Sequence, residues 1–461
     1  MEEKITEEKV TEIKELLEKK RITELCRLFE DMEPADIALI LDEFEDEKLP
    51  VLYRLLPKDL AAEAFVEMDS LEQETLIKAF SDKELREVIN ELYLDDAVDI
   101  IEEMPATVVK RILANTNSAD RKTINELLNY PKDSAGSIMT TEFIDLKSGM
   151  TVKEAFEKIR AVGLDKETVY TCYVTDATRK LLGIATVRDM LLAGNDAVIS
   201  EIMDTSVISA YTGEDKEEVA GMMSKYDLIA LPVTDKENRL VGIVTIDDAV
   251  DVIEQEATED IEKMAAITPN DSDIPYLKIS VPSLFRARIP WLLLLMISAT
   301  FTGMIISSFE DKLARITCLT AFIPMLMDTG GNTGSQSSVT VIRAISLKEV
   351  EFRDIFRVIW KEIRIACLCG AVLGAVNFVK IIFVDGMLMH NPLITPQIAA
   401  VVCITLIATV FCAKFVGCVL PLVSYKLGFD PAVMSSPFIT TIVDAISLLI
   451  YFTVATHLLQ F

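Results

Sequence analysis

Five long apolar segments near the C-terminal end of the chain limit its possible folds more than any other feature. Each has about the 20 residues that a helix needs to cross the hydrocarbon core of a bilayer. We therefore expect a multi-pass membrane domain with five transmembrane helices. The segments run approximately over Ile289–Phe309, Ile316–Val341, Ile365–Val384, Ile398–Val423 and Ala432–Leu459.

Charge is distributed very unevenly along the chain. The 461 residues carry a net charge of −28; the part before Ile289 carries −29 and the rest carries +1. In the apolar part, Lys and Arg cluster between the second and third segments and are absent from residues 385–396. The positive-inside rule therefore predicts a cytoplasmic N-terminus and acidic half, and an extracellular C-terminus, in a plasma-membrane protein. The acidic balance argues against a nucleic-acid partner, which requires a basic surface.

One carboxylate, Asp444, lies inside the last apolar segment. An ionisable group in the hydrocarbon region is costly and usually marks an ion pathway, so Asp444 is a candidate pore residue. Thr440 lies one helical turn earlier on the same face. Lys414, in the fourth segment, has two interpretations. Its ammonium group extends to the membrane surface, or it neutralises Asp444 across helices.

The second segment contains a polar, glycine-rich stretch from Gly330 to Gln336, which includes Asn332 and follows Asp328. Irregular backbone is tolerated in a membrane only where it is buried in protein or lines a wet cavity. The stretch therefore predicts an interrupted helix whose freed carbonyl groups and small polar side chains are oxygen ligands. The alternative is that the glycines, Gly331 among them, serve close packing between helices.

The available ligands favour a hard cation. The chain has two histidines, His390 and His457, and no cluster of thiolate and imidazole groups suited to zinc or copper. Oxygen ligands suit Mg²⁺, which usually keeps several of its water molecules. A homodimer that places two Asp444 side chains around one axis is compatible with a hydrated ion. The same ligand chemistry leaves Co²⁺ and Mn²⁺ open.

An internal repeat lies in the acidic half. Residues Tyr173–Asp189 align without gaps on Pro232–Asp248, and each copy has a glycine, Gly183 or Gly242, in its second apolar run. The residue pattern of each copy predicts a strand, a turn, a second strand and a helix that begins at a Thr-x-x-Asp capping signal. The repeat resembles a tandem pair of CBS domains. That resemblance implies a ligand-sensing module, often for adenosyl nucleotides.

Helical patterns flank the repeat on both sides. Before it, similar helical units predict a small superhelix, in which Asp95 and Asp99 lie one turn apart. These two acids belong either to a solvated face or to a site where a divalent cation bridges them to another domain. After the repeat, an acidic helix from Asp248 towards the first span is suited to transmit movement to the membrane domain.

Taken in order, these parts resemble the MgtE-type magnesium transporters along nearly the whole chain. The most specific matches are the Gly330–Gln336 run, the Pro431–Asp444 run and Glu256-Ala-Thr-Glu259-Asp260. The resemblance implies a multidomain fold: an all-α superhelical N-domain (1–133), an α+β tandem CBS pair (134–200 and 201–257), a connecting plug helix (258–284) and a five-helix α transmembrane domain (285–461).

The resemblance also assigns expected roles to individual residues. On the ion path it implies Asp444, Thr440, Asn332, Gly330 and Gly331, and Asp328 adds a second intramembrane acid. For regulatory Mg²⁺ it implies Asp95, Asp99, Asp215, Glu217, Asp227, Asp248, Asp251, Glu256, Glu259 and Asp260.

The function that the resemblance implies is transport and not catalysis. It predicts a homodimeric Mg²⁺-selective channel for uptake in the lipid bilayer, whose cytosolic half closes when Mg²⁺ is plentiful. An adenine nucleotide is an expected ligand of the CBS pair. The alternatives are a transporter of Co²⁺ or Mn²⁺ and a CBS membrane sensor that transports nothing. A membrane metalloprotease is disfavoured, since the chain has no His-Glu-x-x-His motif.

Overall fold

The computed structural model describes residues 2–269, 274–310, 317–390, 393–434 and 436–459, without the side chains of residues 2–7 and 165. The chain divides into two compact units, and each is described by itself. The first unit holds the residues up to Glu256 and a short segment that ends at Lys278. The second begins at Ala257 and contains all of the long apolar helices.

The first unit begins with a series of short helices. The side chains of Asp69, Ser81 and Asn117 accept hydrogen bonds from the backbone of the following turn and so define three helix starts. The core of these helices continues into the second repeat copy, where Val219 and Leu231 belong to it. The helices are α1 (Glu2–Glu18), α2 (Ile22–Glu30), α3 (Pro34–Asp42), α4 (Leu49–Tyr53), α5 (Lys58–Val66), α6 (Ser70–Ala79), α7 (Asp82–Glu91), α8 (Leu94–Glu103), α9 (Ala106–Asn115) and α10 (Ser118–Leu127).

The predicted repeat is confirmed by two small sheets of the same topology. In each, a parallel pair of strands is followed by an antiparallel pair, and the register places Val174 opposite Gly183 in one copy and Val233 opposite Gly242 in the other. The elements are β1 (Asp145–Lys147), α11 (Val152–Val162), β2 (Thr171–Thr175), β3 (Leu181–Thr186), α12 (Val187–Leu192), α13 (Ile199–Ile202), β4 (Ala210–Tyr211), α14 (Lys216–Tyr226), β5 (Ala230–Thr234) and β6 (Leu240–Thr245).

The two copies exchange their opening segments. Thr140, which opens the first copy, bridges Ile243 of the second, and Asp204, which opens the second, bridges Ile184 of the first. Gly183 in β3 and Gly242 in β6 make this close approach possible. A Cβ at Gly242 would lie 2.6 Å from the Thr140 carbonyl oxygen. The boundary that the sequence predicts at residue 200 therefore does not separate the copies in space.

The acidic helix after the repeat, α15, runs over Ile246–Met264. The predicted connecting helix over 258–284 is therefore wrong in its bounds: the helix begins inside the second copy and ends earlier. It ends because Ala266 adopts a left-handed backbone conformation (φ 55°), and Pro269 follows. Residues 270–273 of the predicted helix lie outside the described residues.

The second unit contains long helices. Among the described residues, four helical stretches are apolar and long enough to cross a membrane: Val281–Ser308, Phe352–Leu388, Pro396–Lys426 and Ser436–Leu458. The helix Ile323–Ser346 is long enough but is not among them, and it packs against Pro396–Lys426 and Ser436–Leu458. The predicted start of its span, Ile316, lies outside the described residues. The helices are named α16 (Val281–Ser308), α17 (Ile323–Ser346), α18 (Ile355–Lys380), α19 (Pro396–Lys426) and α20 (Ser436–Leu458).

The glycine-rich stretch does not interrupt its helix. The prediction of an unwound segment is wrong, since α17 is continuous from Ile323 to Ser346. Its glycines face neighbouring helices closely: a Cβ at Gly330 would lie 2.7 Å from the Thr409 methyl carbon, and the Gly334 carbonyl oxygen would clash with a Cβ at Gly417 of the helix Pro396–Lys426. The alternative interpretation, close packing of backbones, therefore accounts for the glycines.

We expect Gly417→Ala to destabilise the second unit, because the added methyl group meets the α17 backbone and not a flexible side chain. Overpacking of this kind costs about 1–3 kcal/mol. Thermal unfolding of the purified protein in detergent measures the effect. Gly303→Ala is the matched control, since a Cβ there meets nothing within 4 Å. Equal melting temperatures for the two variants would contradict the packing interpretation.

Candidate functional site

A polar stripe runs along one side of α17. Asp328, Asn332, Gln336 and Thr340 follow one another at intervals of four residues, which places them on one helix face. All four are exposed in the single chain, whereas the glycines on the other side are buried. An exposed polar stripe in a unit of apolar helices is a candidate ion path, because lipid offers it no hydrogen-bonding partners.

Asp444 lies on α20, half-buried and close enough to Asp328 for the two carboxylates to repel each other. Thr440 lies one turn earlier, against Gly331, and its hydroxyl donates to the Pro437 carbonyl over 2.9 Å. The structure thus brings Asp444 near Asp328. Gly330 and Gly331 lie on the packed side of α17 and not on the stripe.

The Lys414 side chain neither extends to the membrane surface nor pairs with Asp444. Its ammonium group lies 3.3 Å from Glu362 Oε2 and 2.9 Å from Ser337 Oγ, among buried residues. Both earlier interpretations, extension to the surface and pairing with Asp444, are therefore wrong. No sequence pattern singles out Glu362, which lies just before the third apolar segment.

Carboxylates also gather in the first unit. Asp95 and Asp99 of α8 lie near Asp248 of α15, so that each raises the electrostatic energy of the others. Among the described residues none of these three forms an ion pair with Lys or Arg, and Asp95 Oδ1 is buried with no hydrogen-bond partner. Further acids in the same cluster were missed by the sequence analysis: Asp96, Glu142, Glu167 and Asp247.

Burial and mutual repulsion change the acidity of this cluster. Desolvation, with repulsion from the neighbouring acids, raises the pKa of Asp95, Asp96 and Asp248 to about 7 and that of Glu167 to about 8. A buried, unpartnered carboxylate oxygen among oxygen donors suits a hard divalent cation. Asp95, Asp99 and Asp248 are the residues that fit such an ion.

Three other predicted ligands, Asp215, Glu217 and Asp227, lie on or beside α14, which does not bring all three together. Asp215 caps the start of this helix, where its carboxylate accepts from the Glu217 backbone over 2.9 Å. Asp227 caps the other end in a left-handed conformation. The helix has 11 residues, which separates its ends by about 16 Å at 1.5 Å per residue. All three side chains are exposed in the single chain.

The acids of α15 divide between the two units. Asp251 is exposed, and Glu256 lies 3.9 Å from Lys216 in the first unit. In the second unit, the Ser346 hydroxyl donates to Asp260 over 3.4 Å. Lys263 lies 2.7 Å from Glu259 and 2.6 Å from Asp430. No role is predicted above for Asp430, although it immediately precedes the Pro431–Asp444 run.

A third acidic cluster was not predicted at all. Asp42, Asp69 and Glu72 each offer a carboxylate oxygen within 4.8 Å of the others. The cluster binds the Lys278 ammonium group, which lies 2.6 Å from Asp69 and 3.2 Å from Glu72 and also donates to Asp42. The chain itself therefore supplies the cation here.

Family models match most of the chain. A model described as a divalent cation transporter, MgtE, matches residues 323–454, and one described as the MgtE intracellular N domain matches residues 32–133. The CBS domain model matches residues 135–196 and 199–255. These matches fall on the same parts of the chain as the helical domain, the repeat and the apolar helices.

Whole proteins and solved structures are similar too. The magnesium transporter MgtE of Thermus thermophilus is 37% identical over 464 residues, 100% of both chains, and that of Bacillus subtilis is 33% identical over 442 residues, 96% of this chain and 95% of the relative. A crystal structure of the cytosolic domain of the Mg²⁺ channel MgtE in complex with ATP is 36% identical (TM-score 0.51), covering 53% of this chain and 99% of that one. One of the soluble part of a magnesium transporter is 30% identical (TM-score 0.51), covering 55% and 99%.

We expect the packing of α8 to weaken as the pH rises through about 7 when divalent cations are absent. The folded-state pKa values lie above the unfolded value of about 4. The contribution of the protonated cluster to the free energy of unfolding is therefore complete below about pH 4. It is lost as the pH rises through the folded-state pKa values. Hydrogen exchange of the α8 amides, corrected for the intrinsic pH dependence, measures this.

Mg²⁺ should restore the protection of α8 at high pH, because it neutralises the ionised cluster. The variant Asp96→Asn/Asp99→Asn should show a flatter pH dependence, since two of the repelling groups no longer ionise. Protection that is constant, or that increases with pH in the absence of Mg²⁺, would show that the cluster does not control this packing.

Proposed function

The chain belongs to the MgtE family of magnesium transporters, and we propose that it is a Mg²⁺-selective uptake channel that intracellular Mg²⁺ closes. The family is one of transporters and not of enzymes, and the four apolar helices fit a multi-pass membrane protein. The observation that carries the proposal is the pair of carboxylates, Asp444 and Asp328, beside an exposed polar stripe within the apolar unit.

We take α17 as the fifth membrane-spanning helix. Its 24 residues are enough for the hydrocarbon core. Its composition is polar because one face lines the path and the other is built of glycine and small residues. With five spans and the basic residues around Arg343 and Arg353 on the inner side, the N-terminus is cytoplasmic and the C-terminus extracellular.

A second copy of the chain covers the polar stripe in this proposal. Asp328, Asn332 and Gln336 are exposed in the single chain, although lipid cannot hydrogen-bond them. A two-fold axis beside α17 and α20 would enclose the stripe between two subunits and place two Asp444 side chains around one water-filled path. Two-fold symmetric dimers are the commonest soluble homo-oligomers.

Mg²⁺ is the substrate of this path. Asp444 and Asp328 attract the ion, and the amide and hydroxyl groups of Asn332 and Thr440 are suited to hydrogen-bond its water ligands. Mg²⁺ dehydrates reluctantly, so a path lined by a few polar groups holds it without a full cage of protein ligands. If Co²⁺ or Mn²⁺ is the substrate in place of Mg²⁺, that ion should compete with Mg²⁺ for uptake into proteoliposomes.

The acidic half is the proposed gate. Without Mg²⁺, the cluster of Asp95, Asp99 and Asp248 repels itself and favours separation of the helical domain from the CBS pair. Bound Mg²⁺ neutralises the cluster and holds these parts together. At the other end of α15, Glu259 and Asp260 lie beside Asp430 and Ser346, next to the cytoplasmic ends of α17 and α19. We infer that α15 carries the state of the first unit to the path.

The CBS pair is the proposed nucleotide site. A related cytosolic domain of 36% identity was crystallised with ATP. On the basis of that similarity and of the two paired sheets, we propose that an adenine nucleotide is a regulatory ligand of this chain. A sensor without transport is the rival function, and a flux measurement separates it from a channel.

Asp444→Ala should abolish Mg²⁺ uptake into proteoliposomes while the protein still folds, because the path loses its buried charge. Asp385→Ala is the control: this acid is paired with Lys380 over 2.7 Å, outside the stripe, and its removal should leave uptake nearly unchanged. Uptake by the Asp444 variant at the rate of the unaltered chain would rule out the assignment of the path.

Mg²⁺ should protect the acidic half from proteolysis, because neutralised clusters hold the domains together. We expect the change at about 10⁻⁴–10⁻³ M, the range of weak hard-ion sites. Asp95→Asn/Asp99→Asn should require more Mg²⁺, and Na⁺ at equal ionic strength should have no effect. Identical digestion patterns with and without Mg²⁺ would refute the proposed gate.

A further inference from the structure

Three membrane helices meet at one buried polar contact. The Lys414 ammonium group, on α19, donates to Ser337 Oγ of α17 over 2.9 Å and lies 3.3 Å from Glu362 Oε2 of α18. The Ser337 hydroxyl in turn donates to the same Glu362 oxygen over 2.7 Å. The Lys414 and Glu362 side chains are only 7% and 8% exposed. These three residues are called the triad.

Stability alone does not explain the triad. Burying two charges carries a desolvation cost, and apolar residues of similar volume are often equally or more stabilising. What a buried polar contact adds is direction, since hydrogen bonds hold only in a narrow range of geometry. Ser337 is buried on the packed side of α17, with the glycines, and does not belong to the polar stripe.

The packed face of α17 needs a directional contact. In the middle of this face, Gly330, Gly331 and Gly334 contribute no side chains that interlock with the neighbouring helices, whereas Leu326 before them and Val341 and Ile345 after them pack into apolar clusters. Such a glycine stretch permits close approach but resists rotation less than larger side chains would, because it places nothing between the side chains of the next helix. Ser337 is the position on this face that bonds to both other helices.

Rotation of α17 matters for the stripe on its other side. Consecutive residues of a helix are about 100° apart, so a modest turn would carry Asn332 and Gln336 away from Asp444. We propose that Lys414 and Glu362, acting through Ser337, are positioning residues that fix the rotation of α17 and so aim the polar stripe at the ion path. This inference rests on the proposed function of the stripe.

The first test removes both charges together. In Lys414→Met/Glu362→Leu no unpaired charge remains, so the protein should melt at or above the temperature of the unaltered chain. The half-saturating Mg²⁺ concentration should rise by about tenfold, the effect of losing a charged hydrogen bond. A purely structural role would lower the maximal flux with the amount of folded protein and leave half-saturation unchanged.

The second test removes only the hydroxyl that links α17 to the pair. Ser337→Ala leaves both charges in place and should raise half-saturation by about threefold or more. Ser447→Ala is the matched control: this buried hydroxyl donates within its own helix, to the Val443 carbonyl over 2.7 Å, and joins no second helix. Its half-saturation should equal that of the unaltered chain.

A direct readout of helix rotation completes the design. In the variant Gln336→Cys, position 336 should react with a water-soluble thiol reagent at a different rate when Ser337→Ala is also present, and at the same rate with Ser447→Ala. Unchanged half-saturation and unchanged reactivity in Ser337→Ala would overturn the proposal, even if the double variant failed to fold. An unaltered chain that carries no Mg²⁺ would refute the proposed function instead, and the reactivity at position 336 would still decide the role of the triad.

Discussion

The need to neutralise carboxylates that lie close together or in apolar surroundings organises both units of this protein. At three places the chain supplies its own ammonium group: Lys278 binds the acids Asp42, Asp69 and Glu72, Lys414 pairs with Glu362, and Lys263 pairs with Asp430. At two other places the described part of the chain offers no such partner: the cluster around Asp95 and Asp248, and the pair formed by Asp444 and Asp328. These two places are where we propose that a divalent cation acts, in the gate and in the path.

In the second unit, one helix meets a second physical constraint. A polar stripe must cross the apolar unit without interrupting the backbone hydrogen bonds of its helix, because lipid provides no substitutes. Helix α17 does this by placing Asp328, Asn332 and Gln336 on one face and glycines on the other. The glycines bring α19 and α20 close, and the buried Lys414 contact adds the direction that this glycine stretch lacks.

Much of this organisation could be predicted because it rests on local patterns. The repeat, the apolar segments and Asp444 are visible as spacing and composition, and the sheets have the same register in both copies. What failed depended on contacts between distant residues. Nothing local to Lys414 points to Glu362, and nothing local to Gly330 shows whether a glycine lines water or meets Thr409. The end of α15 at Met264 depended on one left-handed residue, Ala266, which no sequence pattern singled out.

The central claim is that one ion is both conducted and sensed. The most direct measurement is Mg²⁺ flux through the full chain in liposomes, with the Mg²⁺ concentration varied only on the side of the acidic domains. The account predicts that flux falls as this concentration rises through about 10⁻⁴–10⁻³ M, and that Asp95→Asn/Asp99→Asn shifts the fall to higher concentration. Flux that is independent of Mg²⁺ on that side would contradict the account.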